Sequence, residues 1–252
     1  MFREGGAAFE KRLGDNGVGS DFVWCEGAVR VNVKIFDEKR GEITELNQSG
    51  VAVSEEQLAA MNELVRKHAR NADYMTLSGS MPPACPVDYY RTLAEIAEKE
   101  GCRVMLDADG DRLKAGIEAK PFLIKPNRYE LELLTGKRLD TLDAILAAAN
   151  DCIERGVGVV AVSMGGEGAL ITDGKQAWHT PGLKVEVQST VAAGDSMLAG
   201  IAAGLKRGLP LQDAFRLGVA AATARCVTPP EQMISEETCN ALYAQIQMEK
   251  ML

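Results

Sequence analysis

Residues 29–36 alternate strictly, with Val29, Val31, Val33 and Ile35 on one face and polar residues between them. A period of two predicts a half-buried strand. Asp37-Glu38-Lys39-Arg40-Gly41 reads as a turn and Glu42–Leu46 as a returning strand, together a hairpin with one polar face. From Ser54 the period changes. Ser54 and Gln57 have capping-box spacing, and Leu58, Met61, Leu64, Val65 and His68 follow at helical intervals. Strand-like runs then appear at Tyr74–Leu77, Arg103–Leu106, Pro121–Lys125 and Gly158–Val162, the last apolar enough to be buried on both faces. Helical patterns separate them over Pro86–Glu100, from Asn127, and over Asp140–Arg155. Ala169–Thr172 and Ala177–His179, joined by Asp173-Gly174, predict a second hairpin. Three helices, about Gly194–Arg207, Leu211–Cys226 and Ser235–Met248, follow.

Alternation of this kind predicts an α/β layered domain with a mainly parallel sheet. The expected organisation is a single domain over 1–252, carrying the first hairpin as an insertion at about 27–50. Composition agrees: 252 residues, 46% of them hydrophobic, are enough for a sizeable core. The chain has 28 basic and 36 acidic residues, a formal charge of −8. With no basic run longer than a pair, that balance argues against nucleic acid and anionic membranes as partners. No apolar stretch approaches the ~20 residues of a membrane span, and the first residues lack a signal-peptide core, so a cytoplasmic protein is expected. The six cysteines form no Cys-x-x-Cys, and the two histidines, His68 and His179, lie far apart. Zinc or haem chemistry is therefore not expected, and Cys102 and Cys152 read as reduced, buried thiols.

Ligands of open α/β sheets bind beyond the carboxyl ends of the strands, so the loops there carry the candidate chemistry. Thr190-Val191-Ala192-Ala193-Gly194-Asp195-Ser196 leads into an apolar helix. Its small residues let backbone N–H groups approach an anion, with Asp195 placed to accept a proton beside it. Asp195 reads equally well as a charge that complements the helix dipole. Ser163-Met164-Gly165-Gly166-Glu167-Gly168, directly after a buried strand, suits a nucleotide phosphate, although three glycines more commonly make an ordinary tight turn. It is not a P-loop, since Gly-Lys-Ser/Thr is absent. In Lys125-Pro126-Asn127-Arg128-Tyr129-Glu130, Asn127 and Glu130 have capping-box spacing and are also one helical turn apart, as Mg²⁺ water ligands can be.

Taken in order, these loops resemble the ribokinase-like sugar kinases, specifically the phosphofructokinase B branch. Thr-x-x-Ala-Gly-Asp-Ser at 190–196 is similar to that family's C-terminal signature, Asn127-x-x-Glu130 to its Asn-x-x-Glu motif, and 163–168 to its nucleotide loop. Ser78-Gly79-Ser80-Met81-Pro82-Pro83 matches its Ser-Gly-Ser-x-Pro-Pro turn, and Arg30–Ile35 with Gly41–Thr44 resembles the lid of 1-phosphofructokinases. The resemblance runs from about residue 5 to the C-terminus.

The resemblance implies a three-layer α/β/α fold with a small β lid, ATP and Mg²⁺ as cofactors, and a sugar phosphate as substrate. Asp195 would be the base, and the amides of Ala192, Ala193 and Gly194 the anion hole for the transferring phosphoryl. Lys125 would lie near the nucleotide phosphates, and Ser163, Gly165, Gly166 and Gly168 would line the ATP site. Asn127 and Glu130 would organise Mg²⁺ through water, and Arg30 and Ser80 would hold the sugar phosphate. The implied reaction is phosphorylation of fructose 1-phosphate to fructose 1,6-bisphosphate, with tagatose-6-phosphate kinase, 6-phosphofructokinase or an inactive nucleotide-binding fragment as alternatives. A homodimer through the lid is also implied.

Two departures from the family pattern stand out. The signature normally has glycine where this chain has Ala192, and a Cβ there costs about 1–2 kcal/mol if the backbone is left-handed. Gly5-Gly6 aligns with a later glycine pair of the family, so a first strand and a sugar-binding loop, on the order of 50 residues and somewhat more than one minimal βαβ unit, are expected to precede Met1.

Overall fold

The computed structural model describes residues 1–37 and 42–252, so the turn expected at 37–41 lies largely outside the described residues. The chain divides into two compact units, one of Met1–His68 with Ser80–Pro86 and the other of Ala69–Gly79 with Val87–Leu252.

In the first unit, helix α1 (Arg3–Asp15) is interrupted at once, with Gly5 at φ +84. Sequence periodicity does not mark this helix, because Gly-Gly-Ala-Ala carries no amphipathic signal. The residues around the kink pair as a strand instead. Phe2 bridges Cys25 and Glu4 bridges Ala28 of β1 (Cys25–Ala28), and the Met1 ammonium donates to the Val23 carbonyl at 2.6 Å. β2 (Asn32–Asp37) and β3 (Glu42–Asn47) form the expected antiparallel hairpin, in register from Asn32↔Asn47 to Asp37↔Glu42. Two points differ from the alternation reading. The strand starts at Asn32 rather than at Val29, and its apolar row is exposed rather than half-buried, with Val31 58%, Val33 44% and Ile35 51% accessible. α2 (Glu55–Ala69) follows, and Ser54 and Gln57 exchange the capping bonds their spacing predicts, at 2.9 and 3.3 Å.

The second unit is built on a seven-stranded sheet. Its strands are β4 (Tyr74–Ser78), β5 (Arg103–Asp107), β6 (Leu123–Ile124), β7 (Val159–Ser163), β8 (Ala169–Thr172), β9 (Ala177–Thr180) and β10 (Glu249–Lys250), in spatial order β10-β9-β8-β7-β6-β5-β4. β4 to β7 are parallel, and β8 to β10 add antiparallel strands. Val104, Met105, Leu106 and Val160 to Val162 have no accessible surface, which is why these runs read as continuously apolar. The helices are α3 (Tyr89–Lys99), α4 (Gly110–Gly116), α5 (Arg128–Thr135), α6 (Leu142–Glu154), α7 (Ala193–Lys206), α8 (Leu211–Val227) and α9 (Glu236–Gln245). They cover both faces, giving a three-layer α/β/α arrangement of the ribokinase-like kind. On one face Met105, Leu123, Ala161 and Ile171 pack against Met197, Ile201 and Phe215 of α7 and α8. On the other, α3 contacts β4 and β5, and α6 contacts β7 and β8.

α7 and α8 meet through glycine. A Cβ on Gly200 would come within 2.7 Å of Gly218 Cα, and one on Gly218 within 2.7 Å of the Met197 carbonyl oxygen. Backbones therefore touch where side chains normally separate helices. This fixes the helix that carries Asp195.

Candidate active site

The candidate loops of the second unit converge at the carboxyl ends of β5, β6 and β7. Parallel pairing runs on past β6, since Asn127 bridges Ser163, the Lys125 amide donates to the Leu106 carbonyl, and that of Ser163 to Pro126, both at 3.1 Å. These bonds bring Asp107, Lys125, Asn127 and Ser163 side by side, as ends of adjacent strands.

Asn127 is the N-cap of α5. Its Oδ1 accepts from the Glu130 amide, and Glu130 Oε2 accepts from the Asn127 amide, each at 2.8 Å. The capping-box reading is therefore correct. Burial pushes the Glu130 carboxyl above its ordinary range, although the Asn127 N–H and the Lys125 charge favour its ionised form.

Ala192 is the N-cap of α7, at φ +62 and ψ 14, the left-handed conformation in which its Cβ is unfavourable. The Ala193 amide donates to the Thr190 carbonyl at 3.2 Å, while among the described residues the amides of Ala192 and Gly194 have no backbone acceptor. Two N–H groups at a helix start are thus open to an anion. Asp195, exposed in the first turn of α7, stands beside them.

The glycine turn lies across from this helix start. Gly165 and Gly168 have φ +59 and +100. Added Cβ atoms at Gly165 and Gly166 would meet nothing within 4 Å, whereas one at Gly168 would lie 1.9 Å from the Thr180 carbonyl oxygen. So Gly168 is required by the fold, and Gly165 and Gly166 keep space open. That space is a cavity of about 260 Å³, whose lining includes Ser163, the three glycines, Ala193 and Gly194. Sequence reasoning missed its apolar wall of Leu183, Val185, Val187, Val219 and Ala222. It also missed the clamp between Arg128 and Glu167, 2.6 Å apart, which ties the glycine turn to the start of α5.

In the first unit, the Arg30 guanidinium donates to Ser80 Oγ, so the structure brings together the two residues expected to hold the sugar phosphate. Arg30 sits in the link between β1 and β2, not on a lid strand as expected. Among the described residues no group of three or more His, Cys, Asp or Glu could hold a metal ion by itself, and no helix is long and apolar enough to cross a membrane. Cys25, Cys102 and Cys152 are buried.

A carboxylate at an open helix start, next in sequence to residues that line an apolar cavity with a glycine turn, is the equipment of a phosphotransferase with an alcohol acceptor. The chain belongs to the pfkB family of carbohydrate kinases, whose pattern it matches over residues 4–236. It is 34% identical over 230 residues to the 1-phosphofructokinase of Bacillus subtilis (strain 168), covering 91% of this chain and 74% of that protein. It is 35% identical over 240 residues to that of Rhodobacter capsulatus, covering 91% and 75%. Among solved structures, phosphofructokinase-2 from Escherichia coli in complex with substrates and products superposes with a TM-score of 0.90 at 29% identity, covering 97% of this chain and 80% of that one.

Proposed function

We propose that the chain is an ATP-dependent kinase of a phosphorylated ketohexose, converting fructose 1-phosphate to fructose 1,6-bisphosphate. The observation that carries this reading is the pair of open amides at the α7 start with Asp195 beside them, at the rim of the apolar cavity. The relatives named 1-phosphofructokinase support the choice of sugar. A specific observation favours a second reading, 6-phosphofructokinase. It is the likeness, at TM-score 0.87, to the E. coli phosphofructokinase-2 structure with fructose-6-phosphate.

In the proposed reaction the sugar hydroxyl oxygen attacks the γ-phosphorus of ATP, the bond from that phosphorus to the β-phosphate oxygen breaks, and ADP leaves. Asp195 takes the hydroxyl proton. The amides of Ala192 and Gly194, with the Lys125 ammonium, hold the negative charge of the transferring group. The Ala193 amide serves this less well than expected, because it already donates to Thr190. Adenine and ribose fit the apolar cavity, with phosphates over Gly165 and Gly166, where side chains would intrude.

Asn127 and Glu130 fit a magnesium ion held through water. Each spends one lone pair inside the capping box, and Glu130 keeps a second carboxylate oxygen in a half-buried setting where burial disfavours its charge more than Lys125 favours it. When bound, the ion would offset the negative charge of the phosphates. Arg30 with Ser80 forms a fork suited to the sugar phosphate. The exposed row Val31, Val33, Ile35 and Leu46 supports self-association through the hairpin as a homodimer. The chain's net negative charge supports a cytoplasmic enzyme acting on small molecules.

A coupled assay with ATP, Mg²⁺ and each sugar phosphate in turn tests the reading. Turnover highest with fructose 1-phosphate is expected. Turnover highest with fructose 6-phosphate or tagatose 6-phosphate moves the assignment to those kinases. ATP binding with no turnover on any of them refutes the kinase reading for this chain.

A further inference from the structure

Lys125 places its ammonium where helix electrostatics disfavours a cation. A Cβ on Gly194 would lie 3.0 Å from Nζ, so the ammonium rests against the second residue of α7, the positive end of a 14-residue helix. Its side chain is 5% exposed, and water does not screen it there. A buried ammonium in such a place needs a hydrogen-bond acceptor beside it to keep its direction.

Asp107 supplies the counter-charge. Its Oδ2 is 3.1 Å from Lys125 Nζ, and its side chain is 18% exposed. Strand register explains the meeting. β5 and β6 pair Leu106 with Ile124, so the next residues, Asp107 and Lys125, are neighbours across the parallel ladder and project to the same side. The ion pair is a product of sheet topology, and the residues are far apart in sequence. Burial pushes the Asp107 carboxyl above its ordinary range, more than Lys125 draws it down, and Asp195 and Asp109 add repulsion. The carboxylate is thus held in a poor environment for its own charge.

Resting on the nucleotide-site reading above, we infer that Asp107 is a positioning residue that holds Lys125 at the start of α7 and offsets its charge, lowering the affinity of the resting site for nucleotide phosphates. Two positive features meet at this spot, the open amides of α7 and the ammonium. Left uncompensated, they would grip any phosphate chain, substrate and product alike. A carboxylate beside them keeps the ammonium aimed while weakening that grip, so a phosphate chain must share Lys125 with Asp107.

The test is titration of the full chain with ATP and with adenosine. Asp107→Asn keeps the shape and removes the charge. It should tighten ATP about tenfold, as loss of a nearby negative charge at an effective dielectric near 20 allows. Adenosine, which has no phosphate, should bind within about twofold of the parent. A merely structural role predicts the opposite sign, because a disturbed cavity loses ATP and adenosine together. A metal-holding role for Asp107 likewise predicts weaker Mg²⁺-dependent ATP binding. ATP affinity that is unchanged or weaker in Asp107→Asn overturns the inference. A parent chain that binds neither ligand refutes the nucleotide site itself.

The pairing is tested separately, without any ligand. Lys125→Met strands the Asp107 carboxylate and should lower Tm at pH 8, and adding Asp107→Asn should restore most of that loss, since replacing both partners is tolerated where removing one is not. A double variant no more stable than Lys125→Met shows that the two groups are not coupled, and overturns the inference on its own.

Discussion

Gly168 lies so close to Thr180 that a Cβ on the former would fall 1.9 Å from the carbonyl oxygen of the latter, with Gly182 N only 2.8 Å away. The positive φ of +100 at Gly168 compounds this. The end of the glycine turn is thus sewn onto the end of β9. Gly168→Ala is expected to lower Tm by several degrees and to abolish nucleotide binding, the backbone having to move apart. Gly166→Ala, with nothing within 4 Å of the new methyl, should leave Tm unchanged and weaken ATP binding alone. Thermal unfolding and ATP titration of the two variants side by side check both statements.

Ala192 occupies the left-handed N-cap of α7 with φ +62. Ala192→Gly relieves about 1–2 kcal/mol of backbone strain and returns part of it as greater freedom of the unfolded chain. A net gain of roughly 0.5–1 kcal/mol is expected in urea unfolding. Turnover should rise as well under the proposed role of the Ala192 and Gly194 amides, since the methyl is carried by the first of these two residues. No increase in kcat would remove crowding as an explanation.

Asp195 makes no ion pair among the described residues and is exposed in the first turn of α7. Asp195→Asn keeps the side chain's size but removes its charge and cannot take a proton. Turnover should fall by about 10²–10⁴, with ATP affinity changed little. Turnover that survives the substitution would return Asp195 to the simpler role of a helix-terminus charge.

Cys152 lies inside α6 with 1% of its surface accessible, and burial raises its thiol to about 11. The native state then holds its proton over a range in which the unfolded thiol, near 9, has released it. Stability from this group is complete below about pH 9 and is lost as pH climbs toward 11. Cys152→Val should flatten that part of the pH–stability curve. In the native protein at pH 8, Cys152 should also resist a thiol reagent until denaturant is added.

Most of the second unit was legible because its central strands β5, β6 and β7 are largely apolar and α5, α6 and α9 begin on the capping side chains of Asn127, Thr141 and Ser235. The exceptions have identifiable causes. α4 begins and ends on Gly110 and Gly116, residues that argue against a helix, and Gly116 is there because a Cβ would fall 2.5 Å from Leu106. β10 is two residues long, Glu249 and Lys250, and gains its order from pairing with His179 and Trp178. The predicted start of α3 at Pro86 moves to Tyr89, and the last helix stops at Gln245, where the chain turns to form β10.

In the site, the residues found early are those in local patterns: the small-residue turn before Asp195, the glycines at 165–168, and the capping pair Asn127 and Glu130. Asp107 was not found, because in Leu106-Asp107-Ala108-Asp109 it reads only as the polar end of a strand. Its meaning comes from register with Lys125. The apolar wall of Leu183, Val185 and Val187 belongs to a segment with no regular structure, so periodicity had nothing to detect.

The glycine crossing of α7 and α8 has a consequence for how variation can accumulate in this protein. Asp195 occupies the end of a rod whose middle is seated against another backbone at Gly200 and Gly218. A methyl group at either glycine would lever the rod and swing Asp195, though it lies more than a helical turn from Gly200 and on a different helix from Gly218. Damage to activity should therefore trace a line down the helix, and second-site repairs should arise on α8, opposite the first lesion.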